Sequence, residues 1–186
     1  MNADVIILGL VQGFTEFLPV SSSGHLALAK IFLGIEMPPL TYDLVLHVAT
    51  TAATIIFFIT DIVSLFLQWC NGFVNRDARR SHGWVTGWAV IIGTLITGVI
   101  GMLLKNFAEE ASMNSLLVGT GLMVTGILLI ISRWIRTGFG HISFADGIYV
   151  GIAQGIAVLP GISRSGMTIL AGLSAGLSKE AAFRLS

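Results

Sequence analysis

Residues 9–25, GLVQGFTEFLPVSSSGH, interrupt an apolar run with an acidic residue, a proline and a cluster of serines. Residues 151–166, GIAQGIAVLPGISRSG, repeat this arrangement at an offset of 142 residues, from Gly9 to Gly151. Each break separates two apolar arms of about 12–14 residues, roughly 20 Å of helix, which is too short to cross a hydrocarbon core. Because proline removes an amide donor and glycine frees the backbone, both stretches predict helix–turn–helix hairpins that re-enter the membrane and return to the same side.

The matched breaks predict an internal duplication of the chain. Pro19 and Pro160 fall one place out of the common register, and chance similarity between glycine-rich helices is the alternative. Three spans, an odd number, separate the two copies, so we expect the second hairpin to enter from the opposite side. Inverted repeats with broken helices are typical of proteins that build a polar site near the middle of the membrane.

The composition of the 186-residue chain indicates an integral membrane protein. Hydrophobic residues make up 54% and charged residues only 11%, whereas soluble domains carry about 25% charged residues. An ordinary soluble domain and a disordered chain are therefore excluded. Ten basic residues balance ten acidic ones, so no net charge favours nucleic acid, and the single cysteine excludes a disulfide framework.

Three apolar segments predict transmembrane helices, at residues 42–69, 84–107 and 111–136. They separate a first re-entrant hairpin at residues 1–34 from a second at residues 146–178. The sequence therefore predicts an all-α polytopic fold, a single membrane domain over residues 1–186 with two inverted-topology repeats. Residues 179–186 are interpreted as the start of a further span. Because completing the second repeat takes three more spans, we expect the chain to be C-terminally truncated.

The basic residues predict the orientation of the chain. Seven of them lie between the predicted spans on one side or at the far end of the sequence: Arg76, Arg79, Arg80, Arg133, Arg136, Lys179 and Arg184. Only Lys30 and Lys105 lie on the opposite side, next to acidic residues. We therefore expect cytoplasmic loops at residues 70–83 and 133–146, and external loops at residues 35–43 and 105–113.

The two breaks collect the polar side chains of the domain, which are Gln12, Glu16, Ser21, Ser22, Ser23, His25, Ser163, Arg164, Ser165 and Thr168. An isolated charge inside the bilayer costs several kcal/mol, so we expect Glu16 and Arg164 to face each other across one pocket. A purely structural ion pair that joins the hairpins is the alternative, and it leaves the hydroxyls and His25 unexplained.

These residue types suit a phosphate ester. Each serine–glycine turn leads into a helix whose first amides are free and carry the positive end of the helix dipole. Arg164 offers a planar fork to two phosphate oxygens, and His25 can move a proton near neutral pH. Glu16, with Gln12 one turn before it, offers oxygen ligands to a hard divalent cation. The sequence therefore predicts phosphoryl transfer on an amphiphilic phosphate ester.

The motifs at residues 12–25 and 160–168 resemble those of the bacterial undecaprenyl-diphosphate phosphatases of the bacitracin-resistance type. The resemblance implies hydrolysis of a polyprenyl diphosphate to the monophosphate and inorganic phosphate, which recycles the lipid carrier of cell-wall synthesis and confers bacitracin resistance. It implies a divalent metal, Mg²⁺ or Ca²⁺, and a multi-pass protein of the bacterial inner membrane with its site open to the external side. The partners are then the lipid substrate and the bilayer, without nucleic acid, and a homodimer is left open.

The same resemblance implies roles for individual residues. Catalytic roles fall on Glu16, Ser22, His25 and Arg164. Substrate-binding roles fall on Ser21, Ser23, Ser163, Arg164, Ser165 and Thr168. Glu16 is the implied metal ligand, and Gln12, which stands where many members have a second glutamate, is a weaker one. Whether Ser22 attacks phosphorus or positions a water to do so is left open.

Other interpretations are possible at this point. A lipid-phosphate flippase or another inverted-repeat transporter shares the predicted architecture, and a purely structural membrane protein is the third class. Fragments of the phosphatidic-acid-type phosphatase signature occur at Ser23-Gly24-His25 and Ser163-Arg164, but that signature requires histidine where Leu170 stands. His47 either contacts the substrate or metal near the mouth of the site or is a packing histidine.

Overall fold

The computed structural model describes residues 3–34, 40–136, 138 and 140–186. Nine α-helices and one short 3-10 turn, Asp77–Arg80, form in these ranges. The helices are α1 Ala3–Thr15, α2 Ser22–Leu33, α3 Leu40–Phe57, α4 Ile59–Val74, α5 His82–Ser112, α6 Ser115–Ser132, α7 Phe144–Ile156, α8 Arg164–Ser174 and α9 Lys179–Leu185. A single-residue bridge between Gly140 and Leu177 is the one extended pairing among the described residues. The predicted all-α fold is confirmed.

Helices α1 and α2 pack together as one hairpin, and α7 and α8 pack together as a second. The helices α1 and α7 have 13 residues each, α2 has 12 and α8 has 11. The two turns fall at residues 16–21 and 157–163 and contain Pro19 and Pro160. Entry of the two hairpins from opposite sides of the membrane stays a prediction.

Two of the described helices, α5 and α6, are each long and apolar enough to cross a membrane. Helices α3 and α4 meet the same criterion only as a pair, which is bent by 73° between Phe57 and Ile59. The segment predicted as one span at residues 42–69 is therefore two helices, and the second continues to Val74. The bend has neither a proline nor a glycine, so the sequence offers no local signal for it.

The other predicted boundaries differ by a few residues from those observed. Helix α5 extends beyond the predicted segment 84–107 at both ends, and α6 ends at Ser132, where the predicted segment continues to residue 136. Five residues of the predicted external loop 35–43, and two of the predicted cytoplasmic loop 133–146, lie outside the described residues. Residues 179–185, which we interpret as the start of a span, form helix α9.

Close packing of α5 against α7 fixes the position of the second hairpin. A Cβ atom built on Gly151 would lie 2.7 Å from the Cα atom of Gly93, so α7 has no room for a side chain at this crossing. Thr97 of α5 donates from Oγ1 to the carbonyl oxygen of Gly151 at 3.0 Å. Small residues and interhelical hydrogen bonds drive helix association in lipid, where the hydrophobic effect contributes little. This crossing therefore holds α7 beside the site.

Candidate active site

Both hairpin turns open into one cavity of about 340 Å³. Eight of the residues singled out in the sequence line it: Glu16, Ser21, Ser22, Ser23, Ser163, Arg164, Ser165 and Thr168. Gln12 and His25 are not among the lining residues. The fold thus brings the serine-rich starts of α2 and α8 to a single polar space, as the paired breaks predict.

The carboxylate of Glu16 lies at the centre of the site's hydrogen bonds. Its Oε2 atom accepts a hydrogen bond from Ser22 Oγ and a second, of 2.9 Å, from Gln12 Nε2. The side chain of Glu16 is 23% exposed, so the carboxylate is partly withdrawn from solvent but still reaches the cavity. A carboxylate that accepts a hydrogen bond from a serine hydroxyl has the geometry of a general base next to a nucleophile.

Arg164 supplies the positive charge of the cavity. Its Nη2 atom lies 3.8 Å from Glu16 Oε1, so the acidic side chain of one hairpin and the basic side chain of the other face each other. The guanidinium remains accessible from the cavity, because the side chain of Arg164 is 55% exposed. Its remaining N–H groups are available to anionic oxygens at the first turn of α8.

His47 is also directed toward Glu16. The Nε2 atom of His47 lies 3.9 Å from Glu16 Oε2, and the histidine lines the cavity from α3. Its Nδ1 atom is 2.8 Å from the carbonyl oxygen of Asp43. Since a carbonyl can only accept, Nδ1 carries the hydrogen and a neutral ring presents an unprotonated Nε2 to the cavity. Of the two interpretations of His47, the structure favours contact with the site.

An ion pair with a nearly buried lysine holds the helix that carries His47. Lys30 of α2 donates from Nζ to both carboxylate oxygens of Asp43, at 2.8 and 2.7 Å, and its side chain is 11% exposed. A bidentate contact to an almost buried ammonium restrains α3 against the first hairpin. This pair therefore fixes the position from which His47 reaches Glu16.

Gln12 acts on Glu16 rather than on the cavity. The glutamine is 1% exposed, and its Nε2 donates to the carboxylate one turn later, a hydrogen bond that a second glutamate could not donate. Its Oε1 atom is buried and has no hydrogen-bond partner among the described residues. The metal-ligand role implied for Gln12 stays a prediction, and the geometry shows that its amide positions Glu16.

His25 supports the backbone of the first turn. Ser21 has a left-handed backbone with φ 66°, and its carbonyl oxygen lies 2.8 Å from His25 Nδ1 and accepts the His25 backbone N–H at 3.1 Å. A non-glycine residue in this region is strained and needs surrounding contacts to hold it. The catalytic role predicted for His25 stays a prediction; in the structure its ring contacts the turn that precedes Ser22.

Thr125 of α6 supports the second turn from outside the hairpin. Its Oγ1 atom donates to the carbonyl oxygen of Gly161 at 2.8 Å and accepts from the backbone N–H of Ser163 at 3.0 Å. Gly161 has φ 83°, and Gly121 of α6 lies directly against the turn, where a Cβ atom would clash with the carbonyl oxygen of Pro160. Thr125 is buried, so both backbone groups depend on this one hydroxyl.

Sequence reasoning did not assign a role to Thr125, Thr51 or Gln154, although the last two line the cavity. A signal for Thr125 is its spacing of four from Gly121 within an apolar span, the small-xxx-small pattern of close helix packing. A signal for Gln154 is its place in the repeated motif, where it corresponds to Gln12. Thr51 had no signal beyond its distance of one turn from His47.

Comparison with known proteins agrees with these features. The family model described as bacitracin resistance protein BacA matches residues 5–186. An undecaprenyl-diphosphatase of Desulfatibacillum aliphaticivorans is 40% identical, over 98% of this chain and 71% of its own length. An undecaprenyl-diphosphatase of Methanosphaera stadtmanae is 43% identical, over 97% of this chain and 70% of its own length. The hairpin motifs, the shared cavity and the near-complete match together place the chain in the BacA family of bacitracin resistance proteins.

Proposed function

We propose that this multi-pass membrane protein hydrolyses undecaprenyl diphosphate, or a similar polyprenyl diphosphate, to the monophosphate and inorganic phosphate. Its relatives carry the name undecaprenyl-diphosphatase, and that name defines both the reaction and the lipid substrate. Bacitracin resistance follows from the family description. The protein is then a hydrolase of a phosphorus-containing anhydride that serves cell-wall synthesis.

One observation carries the proposal: Glu16 accepts a hydrogen bond from Ser22 and faces Arg164 in the same cavity. The contact between Glu16 and Arg164 alone has a structural explanation, as an ion pair that joins the two hairpins. Their combination with a serine hydroxyl provides a base, an attacking or water-orienting oxygen, and a cation for the phosphate charge. This is the set of groups that cleavage of a phosphoanhydride requires.

The chemistry then begins when Arg164 and the first amides of α2 and α8 hold the diphosphate oxygens. Glu16 takes a proton from Ser22 Oγ, or from a water that Ser22 orients, as the new oxygen–phosphorus bond forms. The bond between the terminal phosphorus and the bridging oxygen breaks, and the lipid monophosphate leaves with the bridging oxygen. If Ser22 is the attacking atom, a water molecule then cleaves the phosphoserine to release phosphate.

The residues present fit a divalent cation that is shared with the substrate. No group of three or more His, Cys, Asp or Glu side chains able to hold a metal occurs in the described ranges. Mg²⁺ is commonly held by one or two protein oxygens together with substrate phosphates, and the carboxylate of Glu16, which lines the cavity, supplies such oxygens. Bound there, Mg²⁺ or Ca²⁺ would neutralise charge on the diphosphate.

We also propose that the protein lies in the inner membrane and that its cavity opens to the external side. The distribution of basic residues supports this orientation, because the loops rich in arginine belong on the cytoplasmic side. The prenyl tail is then held beside the outward-facing apolar side chains of α3 and α4, among them Ile56, Phe57 and Phe66, which are all largely exposed. A homodimer stays a prediction.

Phosphate release from a polyprenyl diphosphate by the purified protein, with and without a chelator, tests this proposal. We expect release that requires a divalent ion and falls about 1,000-fold in Arg164→Ala, since removal of one charge-stabilising group costs about 100- to 1,000-fold. Lys105→Ala is the matched charge control, because it also removes one positive charge and Lys105 is 68% exposed, 3.8 Å from Glu109. An inactive wild-type protein that instead moves the lipid across liposomes would contradict the proposal and favour transport.

Ser22→Ala separates the two routes of attack. A phosphoserine route predicts loss of turnover in this variant and a phosphate trapped on Ser22 in the wild-type protein after rapid quenching. Attack by water predicts measurable turnover in the variant and no trapped phosphate. Thermal unfolding of both proteins in detergent controls for loss of the Ser22–Glu16 hydrogen bond.

A further inference from the structure

Gln154 of α7 is the counterpart of Gln12 in the repeated sequence motif. Gly9-Leu10-Val11-Gln12-Gly13 corresponds to Gly151-Ile152-Ala153-Gln154-Gly155. Both glutamines lie in the last turn of the first helix of their hairpin. The proposed reaction gives Gln12 a contact with Glu16 but leaves Gln154 without a role.

The two glutamines differ in the residue that stands one helical turn later. Four residues after Gln12 stands Glu16, which accepts the hydrogen bond of the Gln12 amide. Four residues after Gln154 stands Val158, which offers no acceptor. The Gln154 side chain makes no hydrogen bond within the described part of the chain, is half-buried, and lines the cavity. Its side chain therefore contributes to the wall of the cavity without a partner that competes for its amide.

The wall of the cavity around Gln154 favours an anion. The second hairpin contributes Arg164, Ser163, Ser165 and Thr168 to this wall in addition to Gln154. None of these side chains is acidic, and the carboxylate of the cavity, Glu16, comes from the first hairpin. A neutral amide beside a guanidinium and hydroxyls adds N–H donors without adding charge.

The position of Gln154 on the second hairpin indicates which phosphate it contacts. The phosphorus that is attacked must lie within reach of Ser22 and Glu16, which belong to the first hairpin. A diphosphate has a second phosphate one bridging oxygen away, and in the rest of the cavity wall the second hairpin supplies the guanidinium, the amide and most of the hydroxyls. A diphosphate held in this way would bring the phosphate that stays on the lipid toward Gln154.

We propose that Gln154 is a further substrate-binding residue, whose amide N–H₂ donates to an oxygen of the lipid-linked phosphate. The proposal rests on the proposed function, since it assumes a diphosphate in the cavity. Loss of a hydrogen bond to a charged group lowers affinity about tenfold or more. The contact holds the substrate and the lipid product equally, which predicts an effect on KM rather than on kcat.

Steady-state phosphate release by Gln154→Leu, with Gln68→Leu as matched control, tests this inference. Leucine keeps most of the glutamine volume and removes its donors, whereas Gln68 bonds to Ser64 and Gly83 and does not line the cavity. For Gln154→Leu we expect a KM raised about tenfold or more and a kcat within about twofold of wild type. Inhibition by polyprenyl monophosphate should weaken by a similar factor, and inhibition by inorganic phosphate should not change.

If Gln154→Leu leaves both KM and inhibition by the monophosphate unchanged, the inference is overturned. It is also overturned if only inhibition by inorganic phosphate weakens, because that result assigns Gln154 to the transferred phosphate. Gln154→Glu, which keeps the shape of the side chain, should raise KM further because a carboxylate repels the phosphate. Its thermal unfolding shows whether the fold is intact. A wild-type protein without phosphatase activity refutes the proposed function instead, so the two failures are distinguishable.

Discussion

Helices α2 and α8 begin in the same way, at Ser21 and Ser163, in hairpins that the sequence repeats. Each serine accepts the backbone N–H of a glycine three residues later, at 3.4 Å for Gly24 and 3.1 Å for Gly166. In each turn the capping Oγ atom also lies 3.3 to 3.4 Å from the hydroxyl two residues on. The matching motifs thus give both helices a serine cap, and both helix starts face one cavity.

The two hairpins differ in the functional side chains that they carry. The first has Glu16 and Ser22, and the second has Val158 and Arg164 at the matching positions. The carboxylate and the hydroxyl therefore come from one hairpin, and the guanidinium comes from the other. Two hairpins with matching motifs can provide two anion-binding helix starts, while single differences in sequence divide the acid–base and charge-stabilising chemistry between them.

The supports of the two turns also differ. The first turn is held from within its own hairpin, by His25 on the carbonyl oxygen of Ser21. The second turn is held from a transmembrane helix, by Thr125. A local support affects only the turn it holds, whereas a support on α6 couples the second turn to the membrane-spanning frame. Substitutions at His25 and Thr125 should therefore have different consequences.

Among the substitutions that remove the support of a turn, His25→Leu should have the largest effect, a loss of about 100-fold in phosphate release, because small displacements of catalytic groups cost this much. His25→Asn should recover most of the activity, since its side-chain amide can donate to Ser21 in place of Nδ1. Release rates of the two variants check this expectation. Equal inactivity of both variants, with unchanged thermal unfolding, would instead support the proton-transfer role implied by the family resemblance.

Thr125→Val should lower the free energy of unfolding by about 1–3 kcal/mol, because the buried N–H of Ser163 loses its acceptor. Valine matches threonine in shape, so the loss reports the hydroxyl rather than a cavity. Thr120→Val is the control, since Thr120 lies on the exposed face of α6 and bonds only to Leu117. Thermal unfolding in detergent measures both. A similar loss in the two variants would show that Thr125 does not hold the turn.

Much of this comparison follows from local sequence. The breaks in both hairpins, the capping serines and the all-α fold were predictable, because proline, glycine and serine act on the backbone within a few residues. The facing of Glu16 and Arg164 was predictable from the cost of an isolated charge in the bilayer. In the first case the cause is the local effect of the residue on the backbone. In the second it is the free-energy cost of an isolated charge, which the pairing of the two side chains offsets.

The features that were not predicted depend on distant partners. The bend between α3 and α4 has no helix-breaking residue, so it arises from packing rather than from propensity. His47, for which the sequence leaves two roles open, lines the cavity and His25 does not, because Asp43 and Lys30 determine where α3 lies. Thr125 is 36 residues from Gly161 in sequence, and only the folded chain brings the two together. The sequence contains the residues that make these contacts, but it does not indicate which of them come together in the fold.

The smallest effect, and the sharpest comparison of the two helix starts, is expected at their capping serines. Ser21 has φ 66°, whereas Ser163 has φ −76°. Ser21→Gly should stabilise the protein by up to about 1 kcal/mol, because glycine relieves left-handed strain and the 3.4 Å cap is weak. Ser163→Gly should destabilise it by a few tenths of a kcal/mol to about 1 kcal/mol, because a shorter cap is lost and no strain is relieved. Thermal unfolding of both variants in detergent measures the two shifts. Shifts of the same sign would mean that the backbones of the two turns are alike, and that the difference between the hairpins lies in their side chains alone.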